Sequence, residues 1–282
     1  MSEGGRAYPA PAKLNLSLRV TGRRADGYHL LQTVFRFIDF GDTLSFTMRA
    51  DGVIARVNEL PGVAEADDLT LRAARLLQKA GAVRQGADIT LKKRLPLGGG
   101  LGGGSSDAAT TLIVLNRLWG LNWPRARLQE LALELGADVP VFVFGESALG
   151  LGIGEKLTAL ELPPAWYLVL IPPVGVATAQ VFQDPDLIRD SIPTRIPPFS
   201  AALAVNDLEP VVCRLYPVVA QYLDWLKQFG RARLTGSGAC VFAEFSSEAE
   251  ARAVLGRLPA TMRGVVAEGL MCHPLRDAVG SC

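Results

Sequence analysis

The sequence predicts an α+β protein with two domains that meet near residues 150–160. Its strand patterns come in pairs and its helix patterns come in groups, whereas a doubly wound parallel sheet would alternate the two. The chain has 282 residues, a length at which single hydrophobic cores begin to divide. A Pro-rich stretch at 163–173 marks a change of composition. We therefore expect one domain over residues 1–155 and a second over 156–282.

The first half of the chain opens with strand patterns. Residues 12–20 alternate apolar and polar side chains, with Lys13 and Asn15 on the polar face, which is typical of a half-buried strand. Asp67 and Asp68 are candidate caps of a helix that Gly81 ends. The predicted strands are 12–20, 32–38, a strand-like stretch over 44–57, and 88–92. The predicted helices are 69–80, 106–118 and 125–135, the last of which stops at Gly136.

The second half follows the Pro-rich stretch. The apolar run WYLVLI at 166–171 predicts a buried strand, and a long helical segment is expected near 203–229. Further strands are predicted around Arg233, over 241–245 and over 263–271, with a helix over 247–258. The sequence contains no internal repeat, so a solenoid is excluded.

The charges of the chain almost cancel, with 29 Lys and Arg against 28 Asp and Glu. A nucleic-acid-binding domain usually has a basic stripe and a pI above about 9. We therefore expect a small-molecule ligand and no nucleic-acid partner.

Metal-ligating residues are few and no long apolar run is present, which excludes further classes of protein. The only histidines are His29 and His273, and the four cysteines form no C-x-x-C pair, which excludes a His-rich metal site and a zinc ribbon. The cysteines are expected to be reduced thiols. The most apolar stretch, 162–176, contains four prolines and is too short to span a bilayer, and no signal-peptide core precedes it. We expect a cytoplasmic protein without a membrane partner.

A glycine-rich loop at 96–106, PLGGGLGGGSS, is the main functional signal. Six glycines in seven positions carry a large entropic cost, but they let the backbone approach a ligand closely. Because an amphipathic helix follows, backbone amides and the helix dipole would hold phosphate there. Ser105 and Ser106 add hydroxyl groups for phosphate or a metal ion. A flexible linker is the alternative, but it would not stand between a strand and a helix.

Several phosphate-binding classes compete for this loop. Gly98, Gly100 and Gly103 satisfy G-x-G-x-x-G, but the strand and acidic residue of a dinucleotide-binding unit do not follow. A Walker A loop needs a lysine that this loop lacks, and the H-R-D and D-F-G motifs of protein kinases are absent. A mononucleotide phosphate loop without its own lysine remains.

Three segments together resemble the motifs of the GHMP small-molecule kinases. They are PAKLNL at 11–16, the glycine loop continued by DAA to residue 109, and LTGSGAC at 234–240. The resemblance implies two α+β domains, an N-terminal one like domain 2 of ribosomal protein S5 and a ferredoxin-like C-terminal one. Substrate and ATP would bind in the cleft between them, with Mg²⁺ carried by the ATP phosphates and no dedicated metal ligands.

Further segments resemble family members whose alcohol substrate carries a cytidine diphosphate. They are RADGYH at 24–29, GADVP at 136–140 and NDLE at 206–209. The competing hypotheses are a GHMP kinase for homoserine or mevalonate, a nicotinamide dehydrogenase and a non-catalytic nucleotide-binding module. We expect a monomer or weak homodimer whose partners are small molecules.

By resemblance, Lys13 and Asp138 are the catalytic residues. Phosphoryl transfer needs a group that orients or deprotonates the attacking hydroxyl, and with histidine nearly absent a carboxylate is expected in that role. Lys13 would keep Asp138 ionised and stabilise the negative charge that develops. A helix-capping role for Asp138 and a solvated strand lysine are the structural alternatives.

The resemblance also implies the binding residues. Tyr28 and Phe182 would lie on the two sides of the cytosine and His29 would bond its edge. The substrate-binding residues implied are Asn15, Tyr28, His29, Thr178, Phe182, Gly236, Ser237 and Gly238. Those implied around ATP are Asp68 and Lys93 near adenine, and Pro96, Leu97, Gly98, Gly99, Gly100, Leu101, Gly102, Gly103, Gly104, Ser105 and Ser106 in the loop. The resemblance leads us to expect asparagine at position 68, where this chain has Asp68. The structural alternative for Asp68 is a helix cap. Cys240 is expected to be a buried hydrophobe and His273 to be structural.

Overall fold

The computed structural model describes residues 6–196, 199–200 and 204–278. The strands are β1 (Tyr8–Arg23), β2 (His29–Arg49), β3 (Ile54–Arg56), β4 (Gly86–Lys92), β5 (Ala148–Gly152), β6 (Lys156–Ala159), β7 (Trp166–Leu170), β8 (Ala232–Leu234), β9 (Val241–Phe245) and β10 (Gly264–Leu270). The helices are α1 (Leu69–Ala80), α2 (Gly103–Leu118), α3 (Arg125–Leu135), α4 (Val139–Phe144), α5 (Thr178–Gln183), α6 (Glu209–Leu215), α7 (Pro217–Lys227) and α8 (Glu248–Leu255). The predicted α+β class is confirmed.

A long hairpin organises the sheet. β1 and β2 pair antiparallel from Tyr8 opposite Leu44 to Arg23 opposite His29. In the described chain the sheet runs in the order β3-β4-β2-β10-β7-β9-β8, with β1 and the β5–β6 pair also joined to β2. Both halves of the chain are therefore attached to β2.

The two hairpin strands are longer than the sequence pattern predicts. The pattern indicates strands over 12–20 and 32–38, but pairing extends them to Tyr8–Arg23 and His29–Arg49. Each strand supplies the other with hydrogen-bond partners beyond the region of clear alternation. The strand-like stretch over 44–57 is divided at the turn before β3, where Gly52 has a φ of 78°.

Helices α1 and α3 have the predicted bounds, and Asp68 caps α1 by accepting a hydrogen bond from the Thr70 amide. Helix α2 begins at Gly103 rather than at Ser106, so the second half of the glycine loop is already its first turn. The helical segment expected near 203–229 contains two helices, α6 and α7, which are separate because Pro217 cannot continue a helix interior. Residues 201–203, where that segment was expected to start, lie outside the described residues.

The elements that the sequence pattern did not reveal are short. Helices α4 and α5 have six residues each, and β5 and β6 have five and four. Such segments are too brief to show a hydrophobic period. Two of them matter for the site, because Asp138 directly precedes α4 and Thr178 begins α5.

Within the described residues, three hydrophobic cores position these elements. The first lies between β2, β4 and helices α1–α4, and the second between the strands β7–β9 and helices α6 and α7. The third contains residues of β1, β2 and β7 together with Leu101 of the glycine loop, so it joins the halves beneath the loop. The predicted boundary at 155/156 lies in the turn between β5 and β6 and stays a prediction. Among the described helices, none combines the length and apolarity that a membrane crossing requires.

Candidate active site

One cavity of about 840 Å³ collects most of the predicted site residues. It lies between the β1–β2 hairpin, the glycine loop, the residue before α4, and α5. Residues from both halves of the chain line it. The predicted residues on its wall are Lys13, Asn15, Tyr28, His29, Gly98, Gly100, Ser105, Asp138, Thr178, Phe182, Gly236, Ser237 and Gly238.

Lys13 and Asp138 form an ion pair in this cavity. Lys13 Nζ lies 3.1 Å from Asp138 Oδ2, and the side chain of Lys13 is 2% exposed while that of Asp138 is 40% exposed. Asp138 stands at the N-cap position of α4, but its side chain makes no capping hydrogen bond. The pair thus has a buried cation and a carboxylate that a ligand in the cavity can reach.

The burial of Lys13 corrects the expected half-buried strand. Both faces of β1 are buried along its centre, and Asn15 is 3% exposed. The Lys13 ammonium donates to Asn15 Oδ1 at 2.6 Å and lies 5.8 Å from the centre of the Phe35 ring. The backbone amide of Lys13 donates to the Leu101 carbonyl at 3.0 Å, which ties this strand to the glycine loop.

The glycine loop turns its carbonyl groups into the protein. The Gly98 carbonyl accepts from the amides of Val176 and Ala239, and the Gly99 carbonyl accepts from that of Cys240. The left-handed backbone at Gly98, Gly100 and Gly102, with φ values of 63°, 75° and 71°, makes this arrangement possible. An anion in the cavity would therefore meet few carbonyl oxygens from this loop.

Not every loop residue reaches the cavity wall. Leu101 packs in the third core, and Ser106 is fully buried, with a hydroxyl oxygen that has no hydrogen-bond partner in the described structure. Of the two serines whose hydroxyls were expected to face phosphate, only Ser105 lines the cavity. The loop residues away from the wall are Pro96, Leu97, Gly99, Leu101, Gly102, Gly103, Gly104 and Ser106.

The two residues expected near adenine are engaged in ion pairs. Lys93 Nζ lies 2.6 Å from Asp42 Oδ2 and 2.8 Å from Asp107 Oδ2. Burial alone would lower the pKa of Lys93, but the charges and hydrogen bonds of Asp107 and Asp42 together raise it. Asp68 caps α1 and pairs with Arg56 at 2.6 Å. Neither residue lines the cavity.

Aromatic and basic side chains form the opposite end of the cavity. The rings of His29 and Phe182 are stacked with centroids 5.0 Å apart, while the Tyr28 ring is exposed beside them. Arg189 donates to His29 Nε2 at 3.2 Å and to the Phe182 carbonyl at 3.0 Å. Burial, assisted by the charges of Arg189 and Arg23, lowers the pKa of His29, so its ring is neutral near pH 7.

The segment 236–238 closes the cavity from the second half. Ser237 Oγ lies 2.7 Å from Thr178 Oγ1, which joins this segment to α5. Thr235 Oγ1 accepts from the Asn15 amide at 3.0 Å, so the same segment also contacts β1. Sequence reasoning found Gly236, Ser237 and Thr178 but missed Thr235, Thr33 and Arg189.

Two other expectations are confirmed. Cys240 is 1% exposed and burial raises the pKa of its thiol to about 12, as suits a small hydrophobe. His273 is buried and its Nδ1 accepts from the Leu275 amide. Burial and the charge of Arg125 lower the pKa of His273 to about 3. Over the described ranges, no group of three His, Cys, Asp or Glu side chains is placed to hold a metal ion.

Comparison with known proteins identifies the family. Residues 68–146 match the model of the GHMP kinases N terminal domain, and residues 194–264 match that of the GHMP kinases C terminal domain. The chain is 61% identical over 279 residues to the 4-diphosphocytidyl-2-C-methyl-D-erythritol kinase of Nitrosospira multiformis, covering 98% of this chain and 95% of that protein. It belongs to the GHMP kinases. A second relative of the same name, from Thiobacillus denitrificans, is 61% identical over 97% of this chain and 98% of that protein.

Solved structures agree with this GHMP kinase assignment. A crystal structure of 4-(cytidine 5'-diphospho)-2C-methyl-D-erythritol kinase matches with a TM-score of 0.81 and 33% identity, over 94% of this chain and 99% of that one. The mevalonate kinase of Methanococcus jannaschii matches with a TM-score of 0.66 and 14% identity, over 96% and 100%, which shows the fold alone. The predicted two-domain GHMP kinase fold is confirmed, and the chain is an ATP-dependent small-molecule kinase.

Proposed function

We propose that this GHMP kinase transfers the γ-phosphoryl group of ATP to the C2 hydroxyl of 4-diphosphocytidyl-2-C-methyl-D-erythritol. The products are the 2-phosphate and ADP, and the reaction belongs to non-mevalonate isopentenyl diphosphate biosynthesis. The observation that carries the proposal is a single cavity with an ion pair, Lys13–Asp138, and an aromatic stack, His29–Phe182, on its wall. The relatives from N. multiformis and T. denitrificans carry this activity in their names.

The proposed chemistry uses the two charged residues together. Asp138 orients the C2 hydroxyl and accepts its proton while the hydroxyl oxygen bonds to the γ-phosphorus, and the bond from that phosphorus to the ADP oxygen breaks. Lys13, buried beside it, stabilises the negative charge on the transferring group. The burial of Lys13 strengthens this interaction because little water screens the ammonium.

The cytidine end is proposed to be read by the aromatic stack. The base would pack against Tyr28 and Phe182, with His29 bonding its edge as a neutral ring. Asn15 would face the erythritol part beside Lys13. The Thr178 and Ser237 hydroxyls and the backbone of Gly236 and Gly238 would contact the substrate from the opposite wall.

The glycine loop is proposed to hold the ATP phosphates through its amides and the start of α2. The cavity wall also includes Ser105 and Asp138, whose side chains carry the hard oxygen donors that suit Mg²⁺. The ion would arrive on the ATP phosphates and neutralise part of their charge. Lys93 and Asp68 stay our proposal for the adenine side, although their present partners are Asp42, Asp107 and Arg56.

We further propose that the enzyme acts in the cytoplasm, where ATP is available, as a monomer or weak homodimer.

The deciding experiment measures ADP release with Mg-ATP and three alcohols: 4-diphosphocytidyl-2-C-methyl-D-erythritol, homoserine and mevalonate. Turnover with the cytidine substrate alone supports the proposal. Turnover with homoserine or mevalonate instead would retain the kinase but reject the proposed base site at Tyr28 and His29. ATP binding without turnover of any alcohol would indicate a non-catalytic module.

A further inference from the structure

A buried chain of hydrogen bonds leads from β2 to the Lys13 ammonium. Thr33 Oγ1 donates to the Ser17 carbonyl at 2.8 Å, and the Asn15 side-chain amide donates to Thr33 Oγ1 at 2.8 Å. Asn15 Oδ1 then accepts from Lys13 Nζ at 2.6 Å. Thr33 is 1% exposed, so little water competes with these bonds.

The Ser17 carbonyl determines which group is donor and which is acceptor in each of these hydrogen bonds. A carbonyl oxygen can only accept, so the single hydroxyl proton of Thr33 must point to Ser17. Thr33 Oγ1 is then available to Asn15 only as an acceptor, and Asn15 must present its NH₂ group there. Its carbonyl oxygen consequently faces Lys13. In the reversed amide orientation, an NH₂ group would face the ammonium and the carbonyl oxygen would face a hydroxyl whose proton is already used.

A β-bulge contributes to this arrangement. The register of β1 against β2 shifts between Asn15 and Ser17, and Leu16 has no partner across the ladder. A bulge locally disrupts ladder pairing and redirects side chains. The Ser17 carbonyl can thus receive the Thr33 hydroxyl, and Asn15 and Lys13 remain on the same face of β1.

We propose that Thr33 is a positioning residue that orients the Lys13 ammonium through the Asn15 amide. This inference rests on the proposed function insofar as Lys13 acts in phosphoryl transfer. An ammonium has three N–H groups: one is donated to Asn15 Oδ1, and Asp138 Oδ2 lies 3.1 Å from the same nitrogen. The bond to Asn15 Oδ1 therefore limits the positions that the ammonium can take beside Asp138 and the cavity. Thr33 itself need not touch the reacting atoms.

Thr33→Val tests this proposal, because valine preserves the shape of threonine and removes the hydroxyl. We expect kcat to fall about tenfold to a hundredfold, since small misplacements of a catalytic group reduce rates on this scale. The KM values for ATP and for the alcohol should stay within about twofold. Thr33→Ser keeps the hydroxyl and should restore kcat to within about threefold of the wild-type value.

A double variant separates an indirect role from a direct one. If Thr33 acts through Asn15, adding Thr33→Val to Asn15→Ala should reduce kcat no further. An equal fall in both backgrounds, or a raised KM for the alcohol, would show that Thr33 contacts the substrate itself and would overturn the proposal. Wild-type kcat in Thr33→Val would overturn it as well.

A measurement that does not depend on catalysis tests this inference separately from the proposed function. The NMR signal of the Asn15 side-chain NH₂, assigned by its loss in Asn15→Ala, should exchange slowly in the wild type and faster in Thr33→Val. Equal exchange rates would contradict the proposed hydrogen bond. The kcat ratios are taken with whichever alcohol the wild-type enzyme phosphorylates, so a wrong substrate assignment leaves this test intact.

Discussion

Lys93 Nζ lies 2.8 Å from Asp107 Oδ2 and so joins the residue after β4 to the first turns of α2. The same ammonium contacts Asp42, whose other oxygen accepts from the Leu95 amide. Two buried carboxylates thus share one cation directly below the glycine loop. This arrangement makes Asp107 sensitive to pH.

We predict that Asp107 makes the protein less stable as the pH rises toward neutrality. Burial raises the pKa of Asp107 to about 7, since the opposing charge of Lys93 does not compensate and that of Asp42 adds to the rise. Between its ordinary value near 4 and about pH 7, the folded state binds a proton that the unfolded state has lost, so unfolding free energy falls as pH rises. Denaturant titrations measure the free energy of unfolding of the wild type and of Asp107→Asn. The wild-type value minus the variant value should fall by about 1–3 kcal/mol from pH 5 to pH 8. A difference that stays constant with pH would contradict this.

Removal of either charged partner should abolish most turnover. Asp138→Asn keeps the shape but cannot accept a proton, and Lys13→Ala removes the buried cation; each should lower kcat by about 10²- to 10⁴-fold. ATP binding, measured by calorimetry, should persist in both. Asp51→Asn is the matched control, because it removes an exposed carboxylate that is paired with Arg49. Near-normal turnover in both site variants would reject the pair as catalytic.

The glycine loop permits a test in which backbone strain is held equal. Gly102 has a φ of 71°, and a Cβ there would lie 2.9 Å from Phe142 and 3.1 Å from Lys13 Cε. Gly120 has a φ of 68°, but a Cβ added there would have nothing within 4 Å. Both alanine variants should lose about 1 kcal/mol of stability from strain, and Gly102→Ala should lose more and also have a lower kcat/KM for ATP. Equal kinetics in the two variants would show that the close approach at Gly102 is unimportant.

Arg189 should control binding at the aromatic end. Its guanidinium holds both the His29 ring and the Phe182 carbonyl. Arg189→Met should therefore raise the KM for the cytidine substrate about tenfold or more, since each such charged hydrogen bond is worth roughly 1.5–3 kcal/mol. The KM for ATP serves as the internal control. If both KM values rise together, Arg189 supports the fold in general rather than the base site.

The sequence could predict residues whose role depends on local pattern. The alternation of β1 placed Lys13 and Asn15 on one face, and the caps of α1 and the glycine run were readable from residue type. Long-range partners could not be predicted in this way: nothing in the residues around Thr33 in β2 marks it, and its importance shows only in the fold, where its hydroxyl donates to the Ser17 carbonyl beside the bulge. Arg189 lies in a loop without periodicity, and its carbonyl partners belong to the backbone.

The hydrogen bond from the backbone amide of Asn15 to Thr235 Oγ1 joins residues that are 220 positions apart in the sequence. At synthesis rates of about 5–20 residues per second, the ribosome needs roughly 10–45 s after making Asn15 before Thr235 exists. During that time the hairpin of β1 and β2 can form, but the wall of the cavity that Gly236 provides is missing. Nascent or truncated chains therefore carry the lysine of the pair without the pocket that uses it. Recovery of activity after dilution from denaturant should report the last contacts to form, well after the return of secondary structure.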